Sequence, residues 1–186
     1  KSPHGPLLER ILPPGFEPRR LPEPRSRGAA LTVQYCVQCH NLPNPAMHDA
    51  AKWPAIVARM VPRMEGKGNL GKLMAEMMAG VRAPSEDEEK IIVRYLRRHA
   101  LKPLDPRQYP EVNKASGEAF RLACNQCHAL PDPKRYTAKE WRTVVSRMQQ
   151  NMEWMNRIVA SKPASVEPQL RIEDINAFLA KHARRQ

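Results

Sequence analysis

A block of 29 residues occurs twice in this chain, 88 residues apart, and each copy opens with Cys-x-x-Cys-His. The first, Cys36–Met64, reads CVQCHNLPNPAMHDAAKWPAIVARMVPRM; the second, Cys124–Met152, reads CNQCHALPDPKRYTAKEWRTVVSRMQQNM. Thirteen of the 29 positions are identical. Further on, Tyr95-Leu96 and His99-Ala100 fall opposite Phe178-Leu179 and His182-Ala183, now 83 residues apart. A duplication of this length, each copy running on to a final apolar helix, reads as two tandem domains. The expected boundaries are 28–101 and 111–186, joined by a linker over 102–110 with three prolines and preceded by a Pro-rich extension over 1–27.

Both copies read as helical, and the expected fold is all-α. Ala29–Tyr35 and Ala115–Ala123, ahead of each cysteine pair, hold no proline. Trp53–Val61 and Trp141–Gln150 carry apolar residues at helical spacing. Ser85-Glu86-Asp87-Glu88 is a capping-box sequence opening a helix with Ile91, Ile92, Tyr95 and Leu96 on one face. Glu173–Ala183 repeats the pattern with Ile175, Phe178 and Leu179. Residues 1–30 hold seven of the 19 prolines, which excludes a regular helix or central strand there. The apolar Leu7, Leu8, Ile11, Leu12, Phe16 and Leu21 predict that this stretch packs on its own body or on a partner.

Three Phe, three Trp and four Tyr must serve two small cores. Domains so small usually need a metal, a cofactor or a staple. No apolar run reaches the length of a transmembrane helix. Lys1–Pro6 lack the apolar stretch of a leader, so the expectation is a mature chain with its signal peptide removed. The net charge of +12 is spread along the chain. It suits an acidic partner or simple solubility, and without a basic run or a recognition motif it does not point to nucleic acid.

Cys36-Val37-Gln38-Cys39-His40 and Cys124-Asn125-Gln126-Cys127-His128 have the spacing of covalent c-type haem attachment. Two thiols three residues apart on one turn can each add to a porphyrin vinyl group, and the next residue's imidazole then lies under the iron. These four cysteines are the whole complement, leaving none for a structural disulfide. A thioredoxin-like pair needs a βαβ context. A zinc ribbon usually separates its pairs by about 15–20 residues, whereas 84 separate Cys39 from Cys124, and zinc gives no reason for the histidines.

With these motifs the sequence resembles a tandem dihaem cytochrome c of the class I type over about residues 28–186. Gly28 and Gly117–Phe120 in the first helices, Tyr95-Leu96 and Phe178-Leu179 in the last ones, and Leu42-Pro43 and Leu130-Pro131 after each histidine carry the likeness. The resemblance implies two small cytochrome c-like domains in which first and last helices cross. It implies two haem c groups bound to Cys36, Cys39, Cys124 and Cys127, with His40 and His128 as proximal iron ligands. A methionine is expected on each distal face. The repeat offers Met60 with Met148 and Met64 with Met152; the resemblance favours the Arg-Met pair, Met60 and Met148. Met77 and Met78 are lesser alternatives in the first unit, since the class I methionine stands a few residues before the last helix. His48 faces Tyr136 in the alignment, so it cannot serve both units. His99 and His182 end the last helices, where a cation suits the helix dipole. Trp53 and Trp141 read as packing against the porphyrin or as propionate donors, and Arg59 and Arg147 as candidate propionate contacts.

An iron with protein ligands on both faces has no open position for a substrate, so the expected function is electron carriage and not catalysis. The expected place is the periplasm, and the expected partners are acidic redox proteins or a membrane-bound oxidoreductase complex. The alternatives are an electron-transfer subunit of a larger oxidoreductase or respiratory complex, a dihaem peroxidase-like enzyme with one open iron face, and a haem sensor with a displaceable methionine.

Overall fold

The computed structural model describes residues 15–68, 71–159 and 171–185. Among them the regular structure is helical, joined by short 3-10 turns and irregular segments, with two isolated bridges and no β-strand. The protein is all-α. The chain divides into two compact units, Lys1–Leu101 and Lys102–Gln186.

The first unit is built from α1 (Arg27–Cys36), α2 (Trp53–Met64), the short α3 (Lys72–Met78) and α4 (Glu86–Arg98). Ser26 caps α1 by accepting from the amide of Ala29 at 3.2 Å. The capping box at α4 forms as its sequence predicts. Ser85 Oγ accepts from the Glu88 amide at 3.3 Å, and the Glu88 carboxylate accepts from the Ser85 amide at 3.0 Å. Both α1 and α2 pack on α4. Gly28 is what lets α1 approach: a Cβ there would sit 2.6 Å from Tyr95 Cβ, inside contact distance. Ala29, Leu31 and Tyr35 of α1, Trp53, Val57 and Val61 of α2, and Ile92, Tyr95 and Leu96 of α4 make the core.

The second unit is built from α5 (Ala115–Cys124), α6 (Ala138–Val159) and α7 (Ile172–His182). α7 packs on α5 and α6. Phe120 and Phe178 stack across the α5–α7 contact, with centroids 4.9 Å apart. Gly117 serves a different approach from Gly28. A Cβ there would meet the Glu111 carbonyl at 2.5 Å, so this glycine seats the preceding 3-10 turn, Pro110–Asn113, on α5.

The repeat starts earlier than the sequence boundaries suggest. The Phe16 amide donates to the Leu42 carbonyl at 3.2 Å, and, 88 residues on, the Leu104 amide donates to the Leu130 carbonyl at 2.7 Å. Leu21 and Tyr109, also 88 apart, are both buried in the core of their own unit. The end of the expected extension and the expected linker are therefore matching parts of the two units. Prolines shape them without breaking the fold: Pro18 and Pro110 open 3-10 turns, where a missing N–H costs nothing. Phe16 and Leu21 pack on their own body, while Leu7, Leu8, Ile11 and Leu12 lie outside the described residues.

Candidate functional site

Each cysteine pair sits where a core helix ends. Cys36 and Cys124 are the last residues of α1 and α5, and the chain then turns through Cys39-His40 and Cys127-His128. The first cysteine of each pair is packed against its unit's core, whereas Cys127 is exposed. Burial pushes the Cys36 thiol up to about 11 and the Cys124 thiol up to about 12, and it raises Cys39 as well. All four are free thiols. Redox and nucleophilic cysteines work as thiolates with lowered pKa values. Cys36, Cys39 and Cys124 are shifted the opposite way and stay protonated at neutral pH.

The histidines share one arrangement. His40 Nδ1 lies 2.8 Å from the Asn41 carbonyl, and His128 Nδ1 lies 2.8 Å from the Ala129 carbonyl. A carbonyl only accepts, so Nδ1 holds the proton and donates it. Nε2 is left with its lone pair, and this hydrogen bond fixes the tautomer and makes the nitrogen a better metal donor. Among the described residues no three His, Cys, Asp or Glu side chains gather as a metal cluster. The donor set, two thiols and one oriented imidazole per unit, fits a covalently attached haem.

The tryptophans have structural duties. Trp53 Nε1 donates to the Pro45 carbonyl at 2.9 Å, and Trp141 Nε1 donates to the Pro133 carbonyl at 2.7 Å. Both indoles are buried. In this structure the one N–H of each indole is engaged by a proline carbonyl of its own unit. His48 and Tyr136 occupy equivalent places, each edge-on to the tryptophan of its unit. Arg59 is exposed on α2 and Arg147 half-buried on α6.

The last-helix histidines also find repeated partners. His99 Nε2 lies 3.7 Å from the Glu23 carboxylate, and His182 Nε2 lies 2.8 Å from Glu111. Glu23 and Glu111 are 88 residues apart. Arg98 and Lys181 bind the same carboxylates at 3.0 and 2.7 Å. These histidines join the last helix of each unit to the segment before its first helix, a firmer role than dipole capping alone.

Met60 and Met64 stand seven and eleven residues after Trp53, and Met148 and Met152 do the same after Trp141. Two and three turns of helix put all four on the tryptophan-bearing side. Met64 packs against the core of the first unit, and the other three are half-buried. The thioether that meets the first cysteine turn is Met78, with Sδ 3.7 Å from Cys39 Sγ. The side chain of Met77 lies outside the described residues. Two features escaped the sequence reading. One is the pairing of Gln38 with the Arg82 backbone, at 2.8 and 2.9 Å. The other is the early start of the repeat, which was signalled by FEPRRLPE at 16–23 and LDPRQYPE at 104–111.

No family model matches the chain, and no curated protein and no solved structure shows significant similarity to it.

Proposed function

We propose that this chain is a dihaem c-type cytochrome that carries single electrons between redox partners in the periplasm. The observation that carries the reading is the twinned cysteine turn: a core-packed first cysteine followed four residues later by an imidazole whose Nδ1 is tied to a carbonyl. Haem, when bound, supplies reversible one-electron chemistry at iron. Cys36, Cys39, Cys124 and Cys127 hold it covalently. His40 and His128 present Nε2 to the iron. Met60 and Met148 are the preferred distal donors, Met64 and Met152 the alternative pair, and Met78 a third donor for the first unit. Arg59 and Arg147 are the candidate propionate contacts.

The charge surplus of +12 favours acidic redox partners, drawn in by long-range attraction and released at high salt. Among the described residues no helix is long and apolar enough to cross a membrane. The electron-transfer-subunit reading draws no support from Phe16 or Leu21, which are taken up by the first unit's own core. A spectroelectrochemical titration of the purified protein tests the proposal. It should show two reversible one-electron steps with His–Met spectra. Hydrogen peroxide turnover, or carbon monoxide binding to the reduced protein, would overturn it in favour of an open-faced haem.

A further inference from the structure

We infer that Gln38 is a positioning residue that holds the segment 78–84 over the first cysteine turn and so sets the properties of the first haem alone. The inference rests on the haem reading above for its consequence, but not for its geometry. Gln38 is the residue before Cys39, and its carboxamide pairs with one residue's backbone in both directions. Nε2 donates to the Arg82 carbonyl at 2.8 Å, and Oε1 accepts from the Arg82 amide at 2.9 Å. Nε2 also reaches the Tyr35 carbonyl at 3.3 Å, which steadies the side chain against α1.

This clasp spans 44 residues of sequence and fastens the segment between α3 and α4 to the cysteine turn. α3 has no side-chain cap, and Gly80 takes a positive φ of 80° just after it. Between α3 and α4 the chain is irregular over 79–85. Four residues before the clasp, Met78 Sδ touches Cys39 Sγ at 3.7 Å. The two contacts hold the segment at two points across the turn that carries Cys39 and His40. Burial and exclusion of water raise a haem's reduction potential, so a segment held there acts on the first haem.

The second unit carries the same residue type at the same place in its motif. Gln126 occupies the same motif position, yet its carboxamide bonds the Leu122 carbonyl of its own helix at 3.0 Å. Among the described residues this is the bond Gln126 makes, and Arg82 belongs to the first unit.

Two variants, Gln38→Ala and Gln126→Ala, test this in the full-length protein by two measurements. Hydrogen exchange reads the clasp directly: the Arg82 amide should be protected in the parent and in Gln126→Ala, and lose protection in Gln38→Ala. Redox titration reads the consequence: in Gln38→Ala one of the two potentials should fall while the other holds, and in Gln126→Ala the potential that fell in Gln38→Ala should hold. Equal Arg82 exchange in all three proteins would overturn the clasp. Lost protection with both potentials unchanged would overturn its role at the haem. A protein that binds no haem refutes the function proposed above and leaves the exchange result to decide the clasp.

Discussion

Tyr109 falls in the stretch that the sequence marked as a linker, yet it is buried and its hydroxyl donates to the Asp132 carboxylate at 2.8 Å. Asp132 is itself buried, at 8% exposure. Burial alone would raise its pKa, but the Lys134 amide at 2.9 Å, the Tyr109 hydroxyl and the Lys102 ammonium at 3.5 Å hold it below the ordinary carboxylate range. Tyr109 is pushed up to about 12, chiefly by burial and then by this bond, so it is a full donor at neutral pH. Tyr109→Phe keeps the ring and removes the donor. A hydrogen bond to a charged group contributes about 1.5–3 kcal/mol. Two partners of Asp132 survive, so the expected loss is about 2 kcal/mol at pH 7, or about 10 °C in the melting of a unit this small.

The sign with pH follows from the lowered pKa. A depressed carboxylate stabilises the fold above its unfolded pKa of about 3.9, and that stabilisation is lost as pH falls through the lower folded value. The variant loses part of that depression. Its deficit should be full at neutral pH and shrink in acid, as the carboxyl takes up its proton in both proteins. Urea unfolding followed by circular dichroism, from pH 7 down to about pH 3, reads this. A deficit below about 0.5 kcal/mol at pH 7 would refute the reasoning. A deficit of constant size across the range would do so too.

Three further outcomes follow. Leu104→Ala should cost about 2–3 kcal/mol in chemical unfolding, since Leu104 is buried in the second core, whereas a free linker residue would cost almost nothing. Trp141→Phe should lower stability by about 1–2 kcal/mol by orphaning the Pro133 carbonyl. It should leave both reduction potentials in place, and a shifted potential would return the indole to the propionate. Gly28→Ala should destabilise the first unit by about 1–3 kcal/mol, because the new methyl meets Tyr95 Cβ at 2.6 Å; thermal melting at parent level would show that α1 and α4 can part freely.

Much of the helical frame was legible because side chains encode it. Ser85 and Glu88 announce the start of α4, and the spacing of Ile92, Tyr95 and Leu96 announces its buried face. The cysteine turns were legible as motifs, and the repeat singled out the tryptophans. Residues 15–26 and 103–113 were harder. Prolines there read as punctuation, while the hydrogen bonds of Phe16 and Leu104 are made by backbone amides that any residue but proline carries. α3 was missed because Lys72–Met78 is short and uncapped. The Gln38 clasp was invisible for a related reason. Its partner is the backbone of Arg82, whose side chain plays no part, and Gln126 in the same motif makes a different bond.

Intact-mass analysis of the denatured protein, made in cells able to attach haem, weighs the two cysteine turns most directly. The mass should exceed that of the polypeptide by two haems, and a thiol reagent should find no free cysteine. A polypeptide of unmodified mass with four reactive thiols, from the same cells, would contradict the assignment of Cys36, Cys39, Cys124 and Cys127.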